Sequence, residues 1–92
     1  MRHELKIWPQ YYCRVADGTK TFEVRENDRG FQYGDIVILK EWDPEPENPN
    51  AAKHQARGFT ESRPLEFQVG YVFQLDSSRV VFSLLPTKKP KG

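Results

Sequence analysis

The chain opens on an alternation. Leu5 and Ile7 are apolar beside Glu4 and Lys6, and a period of two predicts a half-buried strand over residues 3–8. Trp8-Pro9 changes the rhythm. Proline suits the first turn of a helix, where its missing N–H is no loss, and Tyr12, Val15 and Ala16 follow at helical spacing. Asp17-Gly18 closes that helix, since glycine accepts the left-handed conformation after a last turn. Alternation returns over residues 20–26, with Phe22 and Val24 on one face and Thr21, Glu23 and Arg25 on the other. The apolar pair is expected to face the core, and strict alternation puts Lys20 on the same side.

Asn27-Asp28-Arg29-Gly30 and Tyr33-Gly34-Asp35 read as turns by composition. Ile36 to Leu39 is continuously apolar and β-branched, the pattern of a strand buried on both faces, and it runs into Lys40-Glu41-Trp42-Asp43. Leu65, Phe67, Val69, Tyr71 and Phe73 alternate with Glu66, Gln68 and Gln74. This is the cleanest amphipathic strand of the chain, and it assigns Tyr71 to the core side. Asp76-Ser77-Ser78 is a hairpin turn, and Val80 to Leu85 forms the closing strand. Between the third and fourth strands, Pro44 to Gly58 carries Pro44, Pro46 and Pro49; proline cannot donate to a ladder and resists helix, which predicts a long surface loop.

These elements predict an α+β, mostly β fold of five to six strands with one short helix after the first strand. Short strands on a small chain favour a closed or half-closed barrel, because closure removes exposed edges. One domain is expected over residues 1–86, with 45–58 as a flexible loop insertion and 87–92 as a basic tail. A chain of 92 residues makes one domain at most and buries only about 60–65% of its unfolded surface. Its aromatic share of 13% argues against disorder.

Charge narrows the partners. A formal net charge of +1 offers no excess of cations for coating duplex DNA, so any nucleic-acid contact must come from a local cluster. The single cysteine, Cys13, forms no internal disulfide and points to a reducing compartment. The start, Met1 to Lys6, has no apolar stretch of the signal-peptide kind. No apolar run approaches the roughly 20 residues that span a bilayer. A cytoplasmic protein without membrane contact is expected. His3, Cys13 and His54 show no metal-ligand spacing, and no Gly-rich phosphate loop or nucleophile elbow is present. No metal and no cofactor are expected.

Gly18-Thr19-Lys20-Thr21-Phe22-Glu23-Val24-Arg25 reads G-x-K-x-x-E-x-R after a helix and opening a strand. This resembles the signature of the ASCH superfamily, whose fold is similar to the PUA domains that bind RNA. His3 to Ile7, Arg25 to Arg29, Gly34-Asp35-Ile36, Glu41 to Pro44 and Tyr71-Val72 resemble a subgroup of uncharacterised bacterial and phage proteins related to it. Where that subgroup has a Tyr-Thr-Gly-Arg-like turn, this chain has Phe59-Thr60-Glu61-Ser62-Arg63, with one residue more. The resemblance implies a PUA-like barrel with a ligand cleft at the motif, and RNA or a nucleotide-like molecule as ligand.

Glu23 and Arg25, two apart on a strand, share a face. On spacing alone they read as a solvated ion pair contributing at most about 1 kcal/mol. The resemblance turns them into a site, with Arg25 presenting its planar fork to a phosphate or base edge and Glu23 holding it. Lys20 at the strand entrance offers a point charge. Arg29 and Arg63 in turns, and Trp42 as a base-stacking surface, are expected to border the cleft; Trp8 reads as core or rim packing. Arg25→Ala is expected to abolish ligand binding and leave the fold intact.

Some ASCH proteins are amidohydrolases that deacylate a modified cytidine such as N4-acetylcytidine. The resemblance would then make Lys20 and Glu23 catalytic. That pattern pairs the motif lysine with a threonine three residues on, and here the position is Glu23, with Thr19 and Thr21 out of register. A binding module is therefore favoured over an enzyme. A third alternative is a phage-type protein that uses the Pro-rich acidic loop to bind a host protein.

Overall fold

The structure, a computed structural model, describes residues 1–43 and 58–87. The expected loop insertion over 45–58 and the basic tail fall, except for Gly58 and Thr87, outside the described residues. In chain order the elements are β1 (Arg2–Ile7), α1 (Pro9–Ala16), β2 (Phe22–Glu26), β3 (Ile36–Glu41), β4 (Leu65–Gln74) and β5 (Arg79–Pro86). The strands form one five-stranded sheet in the order β1-β3-β4-β5-β2. The fold is mostly β, with the short helix after the first strand as expected. The chain divides into two compact units, one of Met1–His3, Thr21–Val37 and Glu66–Gly92, the other of Glu4–Lys20 and Ile38–Leu65.

In the first unit, β5 pairs antiparallel with both β2 and β4. Val80, Phe82 and Leu84 are its buried face, joined by Phe31, Val37 and Val69. The Phe31 ring meets Phe82 at 4.9 Å and the His3 ring edge-on at 4.8 Å. His3 is itself buried and its Nε2 stands 2.9 Å from Asp35 Oδ2. The same carboxylate receives the N-terminal ammonium at 3.3 Å and the Gln32 N–H at 3.2 Å. Burial pushes the Asp35 pKa up, yet these donors outweigh it and leave it below the ordinary value.

Two faces expected from alternation are reversed here. On β2, Phe22 and Val24 are exposed while Glu23 is buried and Arg25 half-buried. The cause lies on the neighbouring strand. Directly opposite residues of an antiparallel pair share a face, and the register sets Glu23 against Phe82 and Arg25 against Val80, both inward-facing. On β4, Val69 opposes Leu84 but Val72 opposes Phe82, so three residues of β4 advance against two of β5. This β-bulge inverts the alternation beyond it. Val69 stays in the core, whereas Tyr71, at 73% exposure, and Phe73 turn outward. Gly70 permits the bulge, because a Cβ there would collide with Ser83 Oγ and crowd Leu85; that hydroxyl accepts the Tyr71 N–H at 3.0 Å.

In the second unit, Leu5 and Ile7 of β1 are buried as expected, and α1 starts at Pro9 and buries only Val15. The Asp17 N–H closes the helix on Cys13 O at 3.0 Å, and Gly18 follows with φ +85°. β3 is less covered than its apolar run suggested: Leu39 is buried, as is Val37 of the first unit, but Ile36 and Ile38 are only half-buried. Past β3, the Trp42 N–H donates to Ile7 O at 2.8 Å. The chain from Gly58 then runs alongside, with the Asp43 N–H on Gly58 O at 2.8 Å and the Thr60 N–H on Glu41 O at 3.2 Å. Gly58 has φ +89°, and a Cβ there would meet the Trp42 indole and the Asp43 carbonyl.

Candidate functional site

The Glu23–Arg25 pair arises from strand periodicity combined with the β2–β5 register. Nε and Nη2 of Arg25 both stand 3.1 Å from Glu23 Oε2. Glu23 is 4% exposed and Arg25 22%, so the pair is not the solvated one that spacing alone suggests, and the guanidinium keeps partial access to solvent. Replacing a buried ion pair by well-packed apolar groups is often neutral or stabilising. Here the strand turns Phe22 and Val24 outward and a charged pair inward, forgoing apolar burial that contributes about 1.5–3 kcal/mol per fully buried side chain. Such an arrangement forgoes stability, which a functional role for the pair would account for.

A second polar group sits in the other unit. Val37, Leu39, Glu41 and Asp43 follow one another at a period of two, and all four are buried. Glu41 is only 8% exposed. Its Oε1 accepts hydrogen bonds from Thr60 Oγ1 at 2.6 Å and Ser62 Oγ at 2.7 Å. The Tyr12 hydroxyl donates to Arg63 O at 2.6 Å. Burial chiefly, and the nearby Glu41 charge, raise the Tyr12 pKa above its ordinary value against the opposing pull of Arg63. Lys40, Glu41, Phe59, Thr60, Ser62 and Arg63 are among the residues lining a recess of about 380 Å³, within the size range of small-molecule sites. Glu41, Thr60 and Ser62 were not singled out from sequence. The usable signal was the unbroken period from Val37 to Asp43, which carries the core face onto two carboxylates.

The six residues expected to line one cleft divide between the units. Glu23, Arg25 and Arg29 belong to the first, and Lys20, Trp42 and Arg63 to the second. Of these, Glu23 and Arg25 are in contact, and Arg29 is exposed in its turn. Lys20 is half-buried with its ammonium 5.7 Å from the Tyr11 ring centre. The Trp42 ring carries the Lys6 ammonium at 4.8 Å. Trp8 is exposed and stacks on Tyr11 at 6.3 Å. Thr19 Oγ1 donates to Asp17 Oδ1 at 2.6 Å, which engages that hydroxyl in the turn after α1. His54 lies outside the described residues.

Together these elements make a small, mostly β fold with buried charge at two places. The chain belongs to the family described as Domain of unknown function (DUF3850), which matches residues 2–84. Over 40 residues it is also 42% identical to the "Uncharacterized 12.9 kDa protein in GpA 3'region" of Escherichia phage P2, a stretch covering 44% of this chain and 37% of the phage protein. The match thus spans little more than a third of that relative's length. Among the described residues no helix is long and apolar enough to cross a membrane.

Proposed function

We propose that this chain is an ASCH/PUA-like module that binds RNA or a nucleotide-like ligand, with Arg25 as the anion-binding group and Glu23 as the residue that orients it. The observation that carries this reading is the inward placement of the pair on β2, with the guanidinium 22% exposed and braced at 3.1 Å by a carboxylate that is 4% exposed. With its Nε and Nη2 on the buried carboxylate, the guanidinium plane is fixed, which supports recognition of a phosphate oxygen by its outer edge. Arg29, exposed in its turn in the same unit, is the further residue assigned to ligand contact.

Arg25→Ala is a poor test of this reading, because it removes the guanidinium from beside a buried carboxylate, and breaking a buried pair costs about 3–5 kcal/mol. Arg25→Lys keeps the charge and loses the fork. Titration of short single-stranded RNAs and nucleoside monophosphates should show binding by the wild type and at least tenfold weaker binding by Arg25→Lys, with thermal unfolding monitored in parallel. Equal affinity in a folded Arg25→Lys protein would remove the site. Release of acetate from an acetylated nucleoside in the same panel would instead establish the deacylase.

A further inference from the structure

The recess of the second unit contains an acceptor that the fold leaves unused. Glu41 is more than nine-tenths buried, and both hydroxyls that reach it, from Thr60 and Ser62, bond to Oε1. Oε2 accepts no hydrogen bond among the described residues. A carboxylate oxygen with no protein donor takes its hydrogen bond from whatever enters the recess, water or a ligand that can donate. The recess also offers the Phe59 ring as an apolar wall. Of its two cations, Lys40 is engaged with Glu4 at 2.8 Å, while the Arg63 guanidinium makes no ion pair or side-chain hydrogen bond among the described residues. An acceptor, an apolar wall and an available guanidinium complement a molecule with an N–H donor, a planar ring and an anion.

We infer that this recess is a base subsite that selects nucleobases carrying an exocyclic amino group, which donates to Glu41 Oε2 while the phosphate lies toward Arg63. The inference shares the nucleotide-ligand class of the reading above but goes beyond it, assigning a separate recess within the second unit whose anion contact is Arg63. A carboxylate accepting from a base amino group is an established mode of direct recognition. A base with a carbonyl at that position sets lone pairs against the carboxylate, so exchanging amino for oxo turns attraction into repulsion with almost no change of shape.

Two pairs of probes isolate that exchange: CMP against UMP, and AMP against IMP. Titration into the full chain, followed by the backbone amide NMR signals of Thr60 and Ser62, should show the amino member of a pair binding roughly five- to a hundredfold more tightly. Glu41→Gln preserves size and one oxygen for the hydroxyls but places an amide donor where Oε2 stood. It should remain folded and bring the preference to unity or reverse it. Equal binding of both members by the wild type, or an unchanged preference in Glu41→Gln, overturns the assignment and leaves the Arg25 reading standing. So does RNA binding that depends on Arg25 while no mononucleotide moves the Thr60 and Ser62 signals. Failure of every nucleotide and RNA to bind overturns both.

Discussion

Short-range donors set the behaviour of single residues here, and Asp76 shows it most plainly. Its carboxylate accepts the backbone N–H groups of Ser78 and Arg79 at 3.0 and 2.8 Å and the Arg79 guanidinium at 2.7 Å. The Ser78 N–H first, and then Arg79, hold the Asp76 pKa at about 2. Because the folded value is depressed, the associated stability is complete above the ordinary value of 3.8 and is lost as pH falls through about 2. A carboxyl NMR titration should show the low midpoint, and Asp76→Asn should flatten stability between pH 4 and 2 (limits set by roughly the same two values). Gly58 is constrained by space as well as by backbone. Gly58→Ala puts a Cβ into the Trp42 indole at a positive φ and should cost more than the roughly 1–2 kcal/mol of left-handed strain alone, read as a lower midpoint in urea unfolding. Among the candidate site residues, Arg25 and Glu23 were legible as a motif, whereas Glu41 was not. Its role depends on Thr60 and Ser62, some twenty positions away, whose approach no local pattern announces.

At the scale of elements, the strands were readable and two of their facings were not. Alternation identified β2 and β4 and then assigned Phe22, Val24, Tyr71 and Phe73 to the interior, where the structure exposes all four. For β2 the deciding influence is its partner, since β5 presents Val80 and Phe82 inward and register carries Arg25 and Glu23 with them. For β4 it is the extra residue at the bulge between Val69 and Val72. The consequence is measurable. Phe82→Ala, at a wholly buried position, should cost about 3–5 kcal/mol, whereas Phe73→Ala should cost on the order of 1 kcal/mol, in line with its partial burial. Comparable losses at both positions in denaturant unfolding would mean that alternation runs through Gly70 uninterrupted.

For the whole molecule, a net charge of +1 limits how strongly salt can act on binding. A ligand contacted by two or three cations should give a slope of log affinity against log salt of about −1.5 to −2 on a single strand, measurable by titration between low and physiological salt. A much steeper slope would indicate a broad basic surface in place of local recognition. Local pattern was enough to show a mostly β fold, to place its strands and helix to within about two residues of their ends, and to mark the residues that carry the motif. Side-chain periodicity and the steric demands of proline and glycine act within a few residues, so they are written locally. The tertiary structure alone decided which face of each strand turns inward and which polar side chains meet, because strand register and the bulge at Gly70 depend on partners distant in the chain. That is why Arg25 is braced on the inner face of β2, and why Glu41 holds two hydroxyls from beyond the third strand.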